Sequence, residues 1–150
     1  MKLTRFSDYS LRVLIYLGLE PNRQVTIRSI SDAYGISRNH LMKVVSQLTR
    51  LGYLKAQRGP GGGIRLARPP SEINLAGVIR DTEEDLSMVE CFDTTGSCVI
   101  GPYCKLQQII ELALNAFMNT LHDYTLEDLL HPKAELVRLL DVPVKFARSA

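Results

Sequence analysis

Two short amphipathic runs broken by a single glycine constrain this chain more than any other feature. In the first, Ile27, Ile30 and the pair Ala33 and Tyr34 recur at helical spacing behind Thr26, a good N-cap. Gly35 fits the left-handed position that closes a helix. Ser37 then caps a second run, whose apolar stripe is Leu41, Val44, Val45 and Leu48 and which Gly52 ends. Two short helices joined by a glycine-containing turn are the helix-turn-helix signature. The spacing of Phe6, Ser10, Val13, Leu14 and Leu17 predicts a preceding helix from about Arg5 to Leu19, ended by Pro21 and Asn22.

Downstream, two short runs alternate apolar and polar residues, with Leu54 and Ala56 and then Ile64 and Leu66 as the apolar members. That pattern predicts a two-stranded hairpin with one face on the core. Its link, Gly59-Pro60-Gly61-Gly62-Gly63, is too glycine-rich for a packed loop and is flanked by Arg58, Arg65 and Arg68. It is not a phosphate-binding P-loop, because no Gly-Lys-Ser/Thr opens a helix after it. A basic hairpin behind a helix-turn-helix reads as a wing that reaches phosphates or the minor groove. The expected fold is mainly α with a small β-hairpin wing: a winged helix-turn-helix followed by a long dimerisation helix.

The outward face of the third helix points to double-stranded DNA. His40, Lys43, Gln47 and Arg50 share it, with Arg38 and Asn39 at its start, and no acid interrupts them. Amide side chains read adenine edges, and cations meet guanine edges and phosphates. On the wing, Arg58, Gly62 and Arg65 are the candidate contacts. Charge agrees: residues 1–70 hold 12 Lys+Arg against 3 Asp+Glu, whereas residues 71–150 hold 6 against 13. A basic front half faces a polyanion and an acidic rear half does something else.

In the rear half, Asn74 caps a short fourth helix with Leu75, Val78 and Ile79 inside. No sustained period follows from about Glu83 to Tyr103. This stretch or its edge holds all three cysteines, Cys91, Cys98 and Cys104, spaced C-x6-C-x5-C. A fifth helix is expected from near Cys104 to His122. It carries one stripe of Leu106, Ile109, Ala113, Phe117 and Leu121 and a neighbouring stripe of Ile110, Leu114 and Met118. A double stripe leaves area for a partner helix, and a homodimer is what a two-fold DNA operator requires. Thr125 to Asp128 resembles a capping box for a last short helix through Leu130. The expected organisation is a DNA-binding domain over 1–73, a cysteine loop and dimerisation helix over 74–142, and a weakly ordered tail over 143–150.

No apolar run approaches the roughly 20 residues of a membrane span. The N-terminus is not read as a signal peptide, since Asp8 and Arg12 interrupt it and no small-residue cleavage site follows. A cytoplasmic protein without membrane contact is expected, and there three cysteines argue against a disulfide framework. The tight C-x2–4-C pairs of zinc fingers are absent. No local signature marks a catalytic cysteine, although His122 and His131 are present. Three thiolates on one polar loop suit an iron–sulfur centre. A zinc or thiol sensor, and a cysteine enzyme carrying a DNA-binding domain, stay open on the residues alone.

The combination of motifs resembles a known family. Lys2-Leu3-Thr4-Arg5-Phe6-Ser7-Asp8-Tyr9-Ser10-Leu11-Arg12, Ile36-Ser37-Arg38-Asn39-His40-Leu41, Leu51-Gly52-Tyr53-Leu54, Arg58-Gly59 with Gly62-Gly63, and the three-cysteine loop carry the likeness. It is similar over about residues 1–130 to the winged-helix iron–sulfur transcriptional regulators that include NsrR and IscR. Ser37-Arg38-Asn39-His40 and Tyr124-Thr125-Leu126 place it nearer the NsrR type. The resemblance implies a non-enzymatic, homodimeric repressor that senses nitric oxide through a cluster on Cys91, Cys98 and Cys104. A four-iron cluster is favoured, with a two-iron cluster as the alternative. The resemblance further implies that Asp8 of the other subunit completes the site. Arg12, four residues on, is the expected switch partner for a released Asp8. The IscR-type histidine position is occupied here by Gln107, and the first cysteine interval is one residue longer than the family's usual x5. An iron or cluster-status sensor of the same family is the neighbouring expectation.

Overall fold

A computed structural model describes residues 2–89, 98–100 and 103–143. Helix α1, Arg5–Leu19, starts where the Thr4 hydroxyl accepts the Ser7 N–H at 3.2 Å. It drives Val13, Leu14, Leu17 and Leu19 into the core. Helix α2, Ile27–Tyr34, is capped by Thr26 and closed by Gly35 at φ 65°, the left-handed conformation that favours glycine. Helix α3, Arg38–Arg50, is capped by Ser37 and buries Leu41, Val44, Val45 and Leu48. The helix-turn-helix read from the sequence is therefore present, cap for cap.

Strands β1, Leu54–Gln57, and β2, Gly63–Leu66, pair antiparallel with Leu54 opposite Leu66 and Ala56 opposite Ile64. Leu54, Ile64 and Leu66 are buried, but Ala56 is exposed, contrary to expectation. The reason is a third segment. Val25 bridges Ile64 through two backbone hydrogen bonds of 2.8 and 2.9 Å, so β2 is paired on both edges while β1 is left as the outer strand of the wing. Gly63 permits this approach: a Cβ there would stand 2.7 Å from the Val25 carbonyl oxygen.

Helix α4, Leu75–Thr82, is capped by Asn74 and packs against α1. Helix α5, Lys105–His122, matches the expected span. Its two stripes divide differently from expectation. Leu114, Phe117, Met118 and Leu121 pack with Ala76, Ile79, Leu3, Leu11 and Leu86. Leu106, Ile109 and Leu112 stand 60 to 69% exposed. The free apolar face is thus the latter set; Leu114 and Met118 are used in the chain's own core.

The chain then makes a 3-10 turn, Glu127–Leu130, where one short helix was expected, and adds an unanticipated helix α6, Lys133–Leu139. The Asp128 carboxylate accepts the Thr125 N–H at 2.7 Å and its hydroxyl at 3.0 Å, which is half of the expected capping box; the turn has no reciprocal side-chain cap. Leu126, Leu130 and Val142 join the core built by α1, α2 and α3. Of the tail expected from 143, residues 144–150 lie outside the described residues. Among the described residues, no helix is long and apolar enough to cross a membrane.

Candidate nucleic-acid interface and cysteine site

Because Leu41, Val44, Val45 and Leu48 face inward, helical periodicity turns Arg38, Asn39, His40, Met42, Lys43, Ser46 and Arg50 outward. Asn39, Met42, Lys43, Ser46 and Gln47 line one shallow groove along α3. The sequence reading named only the cations, amides and histidine of this face and left out Met42 and Ser46. Their spacing from Asn39, three and seven residues on, already placed them on its face.

The two ends of this helix face different surroundings. At its start the Ser37 hydroxyl accepts the His40 N–H at 3.3 Å, and the His40 ring lies 6.2 Å from that of Tyr9 on α1. At its end Arg50 donates a hydrogen bond to the side-chain amide oxygen of Gln47. Both line a cleft of about 720 Å³ whose other residues include Asp81, Glu83, Glu84 and Asp85. That acidic wall opposes phosphate approach at the far end of the helix, so the start of α3 is the better polyanion face.

On the wing, Arg58 and Arg65 are exposed. Gly62 has a steric role: a Cβ there would collide with the Gln57 and Gly59 carbonyl oxygens. The wing base is pinned by Tyr53, which donates to the Asp81 carboxylate at 2.6 Å and carries the Arg68 guanidinium 4.6 Å above its ring. Burial, and the hydrogen bond to Asp81, push the Tyr53 phenol well above its ordinary range.

Asp8 and Arg12 meet on α1 as a bidentate pair, at 2.9 and 3.0 Å. The guanidinium also lies 5.9 Å from the Tyr9 ring centroid and 5.8 Å from that of Tyr34. The hydrogen bond to Asp8 raises the Arg12 pKa above its ordinary value despite partial desolvation. Asp8, Arg12, Tyr9 and His40 therefore form a chain of contacts from α1 to the start of α3.

Cys98 is exposed, and Cys104 is half-buried at the N-cap of α5, where its side chain makes no capping hydrogen bond. Cys91 lies outside the described residues. Cys98 and Cys104 are free thiols, so their soft donors suit an iron–sulfur centre. Among the described residues, no group of three or more His, Cys, Asp or Glu side chains converges within one chain. Asp8, Cys98 and Cys104 are thus not brought together there.

Residues 3–132 match the sequence profile of the Rrf2 family, described as an iron-dependent transcriptional regulator. The chain is 49% identical over 142 residues to the HTH-type transcriptional regulator NsrR of Bacillus subtilis (strain 168), covering 93% of this chain and 97% of that one. It is 47% identical to the protein of the same name from Geobacillus kaustophilus, with the same two coverages. Among solved structures, IscR of T. potens superposes with a TM-score of 0.73 at 22% identity, over 97% of this chain and 94% of that one. The global cysteine regulator CymR of B. subtilis superposes with a TM-score of 0.69 at 27% identity, over 86% and 95%. The chain belongs to the Rrf2 family and is a transcriptional regulator rather than an enzyme.

Proposed function

We propose that this regulator is a cytoplasmic, homodimeric repressor that binds a two-fold DNA operator and responds to nitric oxide through an iron–sulfur cluster. The carrying observation is near-full-length identity of 49% to a regulator named NsrR, in a chain that keeps free thiols at Cys98 and Cys104. Residues 1–73 would contact DNA, with Arg38, Asn39, His40 and Lys43 in the major groove and Arg58 and Arg65 on the backbone. Gln47 and Arg50 are secondary, given the acidic wall beside them. Residues 74–142 would hold the cluster and the dimer contact.

Cys91, Cys98 and Cys104 would supply thiolates, and Asp8 of the second subunit a carboxylate; a four-iron cluster is the preferred occupant and a two-iron one the alternative. When bound, the cluster supplies iron that reacts with nitric oxide. Asp8 has a competing partner in Arg12, and Arg12 touches Tyr9, whose ring neighbours His40. The partner that Asp8 takes is therefore felt at the start of the recognition helix. The exposed Leu106, Ile109 and Leu112 of α5 are the surface for the second subunit. The family's description as iron-dependent favours a second reading, that iron or cluster status is itself the signal.

Anaerobic purification with iron, sulfide and zinc analysis, followed by DNA binding before and after nitric oxide, tests this. A brown protein that bleaches and releases DNA on nitric oxide supports the reading. Release on iron depletion with indifference to nitric oxide supports the second one. A colourless protein with stoichiometric zinc overturns both.

A further inference from the structure

Met42 is the one large apolar side chain on α3 that faces solvent. It is 54% exposed and belongs to neither hydrophobic core. It shares its groove with Asn39, Lys43, Ser46 and Gln47. An apolar side chain in the middle of a polar face gains most when the surface that covers it offers an apolar group. The neighbourhood selects that surface. Arg38 and Lys43 flank Met42 and α3 carries no acid. Such a rim suits a polyanion rather than an apolar protein surface.

The only methyl group on a duplex's major-groove edges is the C5-methyl of thymine; the other groups that distinguish the base pairs there are hydrogen-bond donors and acceptors. We propose that Met42 packs against a thymine methyl group and so makes the recognition helix select a T·A pair beside the pairs read by its polar neighbours. The unbranched thioether adapts its rotamer to the methyl, and its polarisable sulfur strengthens the contact. Asn39 stands one helical turn away on the same face, at the spacing that lets the two side chains meet neighbouring base pairs. This role rests on the reading of α3 as the DNA-recognition helix.

The test uses the full-length protein purified anaerobically, so that any bound group stays in place. Wild type first selects a binding site from a random duplex library. Each thymidine of that site is then replaced singly by deoxyuridine, which removes the methyl and keeps the base pairing. At one position per half-site, methyl removal should weaken wild-type binding about fourfold, the effect of one buried methyl. Met42→Gln, matched in length and helix propensity, should bind thymine and uracil there equally. Met42→Leu should keep the preference. A uracil profile that is flat in wild type, or identical in wild type and Met42→Gln, overturns the role of Met42 and leaves the DNA-binding reading standing. Failure to enrich any site overturns that reading and the role of Met42 with it.

Discussion

Arg12 shows how one side chain links two elements, α1 and α2. It pairs with Asp8 and lies near the rings of Tyr9 and Tyr34, yet it remains partly exposed. Solvent screening keeps such a pair weak, on the order of a few tenths of a kcal/mol, so its value lies in position rather than stability. Tyr34 carries the stronger electrostatic consequence. Burial pushes its phenol up to about 12, against a partial offset from Arg12. The unfolded phenol ionises near pH 10, two units below the folded one. A raised folded pKa stabilises fully below pH 10 and that contribution is lost as pH rises towards 12. Urea unfolding from pH 9 to 12 should show falling stability, and Tyr34→Phe should flatten part of the slope. An unchanged slope in the variant would assign the loss to Tyr16 and Tyr53, whose phenols are also raised.

At the scale of the element, α5 separates two uses of apolar surface. Its inner face, Leu114, Phe117, Met118 and Leu121, closes a small core with α4, whereas Leu106, Ile109 and Leu112 face outward. Substitutions on the two faces should therefore fail differently. Met118→Ala should lower unfolding free energy by about 2 kcal/mol, the cost of a cavity in a buried site. Leu112→Glu should leave the monomer fold intact, because the side chain is 69% exposed there. In the proposed dimer the same change buries an unpaired charge, so sedimentation should show a folded monomer. A Leu112→Glu protein that sediments as a dimer would move the interface to another surface.

Across the whole molecule, the chain returns to where it began. Leu126 is fully buried, and Leu130 and Val142 nearly so, in the core formed by the helix-turn-helix. Two hydrogen bonds secure the return: the Leu126 N–H donates to the Ile73 carbonyl at 2.8 Å, and the Arg23 guanidinium donates to the carbonyl of Pro143. The segment after α5 is therefore part of the scaffold that packs on α1. Leu126→Ala should destabilise the front core by about 3 kcal/mol. Circular dichroism and the wing-base Tyr53 signal should lose structure in one shared transition. Two separate transitions would show that the C-terminal segment folds independently of the core it touches.

The sequence by itself determined what depends on near neighbours in the chain. Thr4, Thr26, Ser37 and Asn74 cap their helices because each side-chain oxygen reaches an amide three residues on. The apolar stripe of α3 also fixed which residues face outward, so most of the candidate DNA face was legible. Met42 lay on that face by spacing too, but only the tertiary structure showed that it is exposed and outside both cores. Tertiary structure decided everything that needed a distant partner. It put Val25 beside Ile64, divided the two stripes of α5 between core and solvent, and set an acidic wall beside Arg50. It also folded residues 126–142 back onto α1. The physical reason is range: caps and periodicity act within a few residues, whereas burial is settled only when segments far apart in the chain compete for the same surface.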